Sequence, residues 1–376
     1  MSSDSLLSKL QAAGFFRRYW QRKPLLLPAL VDATTLNHID QQWLYEAAED
    51  SALESRRVTG PNPAGDYEVE YGPGLDADTA SKQVPWSLLV RDIDKICDEA
   101  DALLHAFSDI GRWRMEDVMV SYATEGGSVG AHLDQYDVFL VQTRGRRHWQ
   151  IDSRPNPNTS QMANQELSLL SHFEPNQQWV LEPGDCLYLP PGVPHHGIAL
   201  AGEECITCSV GLRTPSTAEL WVSFAEYQFG QSSEASRLQD PYRDPELGGQ
   251  ITTQDVDQAR QLLGGLHNID SPTLAHWFGC HVTQSGVHWQ DAARVANSKG
   301  RFGWQRTPGA LLAWYLDDKH CWLFANGAAY PCGQQGAALI SRTRRISHEQ
   351  WSNLQKSVPM DTLEALLNDG IFIACD

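Results

Sequence analysis

The deciding stretch is Gly130-Ala131-His132-Leu133-Asp134-Gln135-Tyr136-Asp137-Val138-Phe139, answered further along by Leu187-Tyr188-Leu189-Pro190-Pro191-Gly192-Val193-Pro194-His195. Side chains alternate between faces in extended backbone, so an extended segment over 132–134 sends His132 and Asp134 to one side and Leu133 to the other. A His-x-Asp pair alone arises by chance in many chains, and a lone histidine on a strand is usually structural. The second stretch shifts that balance. Glu182-Pro183-Gly184-Asp185 signals a turn, Cys186 to Leu189 a short apolar strand, and Pro190-Pro191-Gly192 a break that delivers His195 at a strand end. His196 is adjacent, and because neighbouring strand residues face opposite ways, only one of the two reaches the same point.

Two imidazoles and a carboxylate on one side of a cation leave its other positions open, which is the donor set of non-haem iron(II) sites. The surrounding runs 117–122, 138–142, 148–151, 179–182, 186–189 and 204–211 read as strands with intervening turns, and they fit a β-barrel or jelly roll. Thr214-Pro215-Ser216-Thr217 breaks this pattern. Helical spacing follows over 218–225 and resumes over 256–263, beyond a Pro- and Asp-rich loop near 240–248. From about residue 276 the pattern changes again, with a helix expected over 288–295, β-like segments over 309–316 and 321–325, and a terminal helix over 359–368. The expected division is therefore 1–215, 216–275 and 276–376, in a mixed α+β chain.

Composition bounds the partners. A chain of 376 residues, 41% hydrophobic and 20% charged, suffices for a sizeable core. Met1-Ser2-Ser3-Asp4-Ser5 has no basic stretch leading into an apolar run, and no apolar run approaches a membrane span, so a cytoplasmic protein without membrane contact is expected. Eight cysteines are scattered without a framework, which predicts reduced thiols. Cys205-Ile206-Thr207-Cys208 reads as buried strand residues and not as a zinc or redox motif, because positions three apart face opposite sides. The net charge of −18 disfavours direct nucleic-acid binding, apart from the local cluster Arg342, Arg344 and Arg345, and it favours a basic protein partner.

The two deciding stretches, with Gly145-Arg146-Arg147-His148-Trp149 and the early run Phe16-Arg17-Arg18-Tyr19-Trp20-Gln21-Arg22-Lys23-Pro24-Leu25, resemble the JmjC-type ribosomal oxygenases. Within them the similarity is to the bacterial branch, the arginine hydroxylases of large-subunit ribosomal protein sixteen. It is strong over the first two hundred or so residues and one of general layout beyond. The resemblance implies a double-stranded β-helix of the cupin-like JmjC type, with Fe(II) as metal and 2-oxoglutarate as cosubstrate. It implies His132, Asp134 and His195, rather than His196, as the catalytic metal ligands. It also implies hydroxylation at an arginine β-carbon of a basic ribosomal protein, with release of succinate and carbon dioxide. Residues 216–275 would form a helical dimerisation region of a homodimer, and 276–376 a winged-helix-like domain.

A guanidinium suits the distal carboxylate of 2-oxoglutarate, through two parallel charge-assisted hydrogen bonds. The resemblance gives Arg147 that role, alternation turns Arg146 away, and Thr207 on a facing strand is a secondary candidate as a supporting hydroxyl. An arginine substrate needs a carboxylate for its charge and flat or polarizable walls for its stem. Asp117 and Met119 share one strand face, and Tyr136 shares that of His132 and Asp134. Met119 and Tyr136 read equally well as barrel core, and the resemblance favours all three as a substrate cradle. Two other readings use the same residues: an N-methyl demethylase, and a non-catalytic cupin-like metal-binding protein. The second has no need of a 2-oxoglutarate anchor.

Overall fold

The computed structural model describes residues 3–75, 83–154, 167–202, 204–231, 256–257, 269–284 and 303–375. Helices α1 (Ser3–Ala12) and α2 (Phe15–Arg18) lead into β1 (Leu25–Leu27), and α3 (Gln41–Ala48) precedes β2 (Ser55–Thr59), β3 (Glu68–Tyr71) and β4 (Trp86–Val90). The Asp40 carboxylate starts α3 by accepting the Trp43 N–H at 2.9 Å, so one orphan donor of that helix end is satisfied. After α4 (Asp98–Ala106) come β5 (Met115–Ala123), β6 (Val138–Arg144), β7 (Arg147–Ile151), β8 (Gln177–Leu181), β9 (Cys186–Leu189), β10 (His195–Ala199) and β11 (Cys205–Leu212).

These strands form an eight-stranded antiparallel sheet in the order β1-β9-β6-β11-β5-β4-β2-β3 and a three-stranded sheet in the order β10-β7-β8. The period of two sorts every strand of the large sheet. Val118, Val120, Phe139, Val141, Cys186, Tyr188, Cys208 and Val210 enter one buried cluster with residues of α1, α3 and α4. Their alternate neighbours Val138, Leu140, Leu187 and Leu189 join Trp149, Ile151 and Leu181 of the small sheet in a second cluster, inside the barrel. The inward positions of β5 and β11 carry Asp117, Met119, Ser121, Thr207, Ser209 and Gly211 instead, and these line a cavity. One end of the barrel interior is therefore apolar core and the other a polar chamber. Gly145 makes the β6–β7 turn at φ +61°, where a Cβ would lie 2.4 Å from the Glu204 carbonyl oxygen. That turn carries Arg147 onto the small sheet.

All six runs read as strands are strands: β5 to β9 and β11. Missing from that reading are β1 to β4 and β10. Helices α5 (Thr217–Gln231) and, near the end, α9 (Met360–Asn368) match their expectations. Most of 256–263, the loop near 240–248 and all of 288–295 lie outside the described residues. The expected boundary at 215 immediately precedes α5, whereas the one at 275 falls inside α6 (Ser271–Thr283). This helix packs on the C-terminal hairpin strands, with its Gly279 against the Phe324 ring and its His276 edge-on to Trp322 at 5.5 Å.

The C-terminal part has strands β12 (Gly303–Arg306), β13 (Leu312–Leu316), β14 (Cys321–Ala325), β15 (Ala328–Pro331), β16 (Arg345–Ile346) and β17 (Phe372–Cys375). Helices α7 (Gln334–Arg342), α8 (His348–Leu354) and α9 complete it. It forms two three-stranded sheets, β16-β12-β17 and β13-β14-β15, over a core of its own that includes Leu323, Ile340, Trp351, Leu363 and Phe372. Among the described residues no helix is long and apolar enough to cross a membrane.

Candidate active site

Residues 132–136 do not form the regular strand on which His132, Asp134 and Tyr136 were expected to share a face. They carry an isolated antiparallel bridge between His132 and His195, with N–H to carbonyl distances of 3.0 and 2.8 Å. One bridge is enough. Directly opposed residues in an antiparallel pair project to the same side, and the two imidazole centroids lie 4.3 Å apart. The Asp134 carbonyl accepts the Gly192 N–H at 2.7 Å, so the Pro-Pro-Gly break is tied to the segment bearing the carboxylate. Asp134 Oδ2 lies 3.7 Å from His195 Nε2, and the potential ligand atoms of His132, Asp134 and His195 all fall within 4.8 Å of one another.

Both histidines are held in one tautomer. His132 Nδ1 is 3.0 Å from the Gly130 carbonyl oxygen, and His195 Nδ1 is 2.9 Å from that of Val193. Carbonyl oxygens only accept, so Nδ1 carries the proton and each Nε2 lone pair is free for a cation. Burial first, then the neighbouring His132, lowers the His195 pKa to about 4, so the ring is neutral at pH 7. Two imidazoles and a carboxylate converging on one point fit a divalent metal. His196 turns to the other face, where its ring meets Phe173 at 6.2 Å.

Arg147 is buried while Arg146 is exposed, as alternation requires. Its Nη1 lies 3.5 Å from Ser121 Oγ, and its Nε and Nη2 have no hydrogen-bond partner. Its guanidinium carbon sits 5.8 Å from the Trp149 ring centre, and that ring covers Gly197, where a Cβ would come within 2.7 Å. An unpartnered buried guanidinium is costly, and a dicarboxylate reaching in from the metal position would satisfy it. The Thr207 hydroxyl donates to Gln142 Oε1 at 3.0 Å, which leaves it only acceptor capacity toward the cavity.

The chamber has a volume of about 300 Å³, and His132, Asp134, His195, Arg147, Thr207, Asp117, Met119 and Tyr136 all line it. Asp117 is not the free carboxylate pictured from sequence. Its Oδ2 accepts from Arg91 Nε at 2.9 Å, and Arg91 also approaches Glu54 at 3.4 Å. Burial nevertheless raises the Asp117 pKa, with Arg91 opposing. Arg91, Asp117, Tyr136 and Gly211 also border a wider groove of about 870 Å³ that runs past Trp113, Arg213 and His281. The chamber thus opens between β5, the 130–137 segment and α6.

Sequence reading missed Arg91, Ser121, Gln142 and Trp149. Ser121 shares the face of Asp117 and Met119, and Trp149 that of Arg147, so alternation could have found both. Arg91 and Gln142 give no such local signal.

A model of the JmjC domain matches residues 102–220. The chain is 34% identical over 280 residues to the ribosomal protein uL16 3-hydroxylase of Escherichia coli, covering 72% of this chain and 71% of that protein. The chain belongs to the JmjC-domain ribosomal oxygenases. A probable ribosomal oxygenase of Haemophilus influenzae is 36% identical over 211 residues, 55% of this chain and 50% of the relative. Among solved structures, Escherichia coli YcfD superposes on this ribosomal oxygenase with a TM-score of 0.78 at 28% identity, covering 96% of this chain and 97% of that one. A complex of YcfD, a ribosomal oxygenase, with cobalt and 2-oxoglutarate matches with a TM-score of 0.76 at 28% identity over 97% of this chain and 98% of that one. The JmjC, cupin-like mixed fold with its large antiparallel sheet matches these structures.

Proposed function

We propose that this chain is an Fe(II)- and 2-oxoglutarate-dependent dioxygenase that hydroxylates the β-carbon of an arginine in a basic large-subunit ribosomal protein. The observation that carries the reading is one chamber in which the tautomer-locked pair His132 and His195 converges with Asp134, beside a buried guanidinium whose Nε and Nη2 have no hydrogen-bond partner. Relatives named for uL16 3-hydroxylation and for ribosomal oxygenation support the reaction class.

His132 and His195 would hold the metal through Nε2 and Asp134 through its carboxylate. Bound Fe(II), with 2-oxoglutarate and dioxygen, supplies the oxidising power, one oxygen atom entering a substrate C–H bond as the cosubstrate becomes succinate and carbon dioxide. Arg147 anchors the distal carboxylate of 2-oxoglutarate by charge-assisted hydrogen bonds, and Ser121 keeps the guanidinium in place. Thr207 accepts a hydrogen bond on the same side. Asp117, whose charge is shared with Arg91, receives the substrate guanidinium, while Met119 and Tyr136 wall its stem. The chain's contribution is orientation, since the target carbon must meet the reactive position in a chamber that excludes water.

The surplus of acidic residues steers a basic substrate toward the groove. Domains divide at 215 as expected from sequence, and the second boundary, expected at 275, moves ahead of α6, which packs with the C-terminal part. The middle region dimerises, in keeping with the exposed Val222 and Phe229 of α5, and the last is a winged-helix-like scaffold without a nucleic-acid role. The setting is cytoplasmic.

The test is incubation with Fe(II), 2-oxoglutarate, air and the recombinant large-subunit protein, followed by peptide mass mapping. The expected outcome is the gain of one oxygen atom on a single arginine, with stoichiometric succinate. Formaldehyde release instead would mean demethylation, and metal binding without succinate would mean a non-catalytic protein.

A further inference from the structure

A second convergence of metal-binding side chains lies on the outside of the barrel, away from the chamber. His38, just beyond the short turn Ala33–Leu36, Cys97 at the N-cap of α4 and Glu99 in its first turn bring their donor atoms together. Cys97 Sγ is 3.5 Å from His38 Nε2 and 3.5 Å from Glu99 Oε2, and those two atoms are 3.8 Å apart. Tetrahedral zinc, with Zn–S of about 2.3 Å and Zn–N or Zn–O of about 2.0 Å, sets its ligand atoms about 3.3 to 3.6 Å apart. The observed triangle needs a closure of only a few tenths of an ångström.

Within the triangle the thiol donates to Glu99 Oε2 and the His38–Cys97 contact takes its direction from the imidazole tautomer, whereas 3.8 Å between His38 and Glu99 exceeds a hydrogen bond. From these three side chains we propose a zinc(II) site formed by Cys97 thiolate, His38 Nε2 and the Glu99 carboxylate, with water as the fourth ligand.

Thiolate, imidazole and carboxylate together select zinc over magnesium or calcium, which prefer all-oxygen shells. His38 and Glu99 side chains are 43% and 50% exposed, so the ion has an open approach and room for its water. Burial of Cys97 pushes its thiol pKa up. Coordination reverses this, the thiol proton leaving to solvent as the Zn–S bond forms.

The position gives the ion a structural task. Asp98 lies between two of the ligands, and its carboxylate receives Arg344, Arg345 at 3.2 Å and Gln305 at 3.1 Å from the C-terminal part. A metal clamping Cys97 and Glu99 would hold the turn of α4 that grips that domain.

Cobalt(II) separates this site from the chamber, because only a cysteine-containing site gives thiolate-to-cobalt charge-transfer absorption in the near ultraviolet. Metal-free, reduced full-length protein is titrated with cobalt(II) and then with zinc(II). The wild type and His132→Ala should both develop the band, and zinc should abolish it. Cys97→Ser and, should that variant fold poorly, His38→Ala should lack the band while still binding one equivalent at the chamber triad. Absence of the band in the wild type, or its survival in Cys97→Ser, overturns the proposal.

Discussion

Two of the regions that bury arginine satisfy it differently. At the junction with the C-terminal part, Arg306 is fully buried and Arg344 nearly so, and both face carboxylates of α4. Arg344 Nε meets Asp101 at 2.5 Å, and Arg306 Nη2 approaches the same Asp101 at 3.9 Å. Buried Arg112 adds a third guanidinium, whose nitrogens have no hydrogen-bond partner and whose pKa burial lowers against the charges of Asp101 and Asp94, and burial lowers the Arg306 pKa to about 9. In the chamber, Arg147 meets a neutral hydroxyl and an aromatic face, and no carboxylate of the described residues reaches it. The protein supplies the counter-ion where the charge is architectural. Where a ligand brings its own carboxylate, none is built in.

This contrast predicts that chamber variants lose chemistry with little loss of stability, and junction variants the reverse. The largest effect is expected for His195→Ala, which should abolish hydroxylation and metal retention while His196→Ala keeps the metal. Loss of metal from His196→Ala alone would reverse the assignment. Next comes Asp101→Ala. Removing the shared carboxylate leaves buried cations unpaired and should cost about 3 to 5 kcal/mol by urea denaturation, with the 2-oxoglutarate requirement of the remaining folded enzyme unchanged.

Arg147→Ala should lose about 2 to 4 kcal/mol of cosubstrate binding, raising the 2-oxoglutarate KM about thirty-fold or more, while Arg146→Ala does not. Equal effects of the two would mean that Arg147 is not the cosubstrate anchor. A pH titration of stability probes the junction further. His105 Nδ1 lies 3.4 Å from Arg306 Nη2, and burial, then Arg306, lowers its pKa from 6.5 to about 3. Between these values the unfolded chain binds a proton that the folded one refuses, so stability falls as pH drops below about 6.5, by up to about 1.4 kcal/mol per pH unit. His105→Gln should flatten that slope. Smallest is the ionic-strength effect: kcat/KM for the basic protein substrate should decline from about 50 to 300 mM salt, whereas kcat at saturation should not.

The legible part of the chamber follows one rule of local geometry. Period-two alternation along β5 and β7 put Asp117 with Met119 and separated Arg147 from Arg146, and the turn residues around Glu182 to Gly192 marked where His195 enters. These depend on neighbours in the chain, which the sequence displays. The His132 segment shows the limit of the same rule, because its ligands converge through one bridge to His195 and not through a strand of their own.

The tertiary structure alone decided which charges are neutralised. Asp117 of β5 meets Arg91, just beyond the end of β4, and Arg344 meets Asp101 over a separation of 243 residues. His38 reaches Cys97 across 59 residues. No periodicity connects such pairs. The sequence by itself determined the strand faces, the turns and the donor types of the metal triad, because these arise from steric alternation and local backbone preference. Pairing of buried charges was left to chain packing, since Coulomb attraction and desolvation depend on distance in space and on burial, and neither is written in the order of residues.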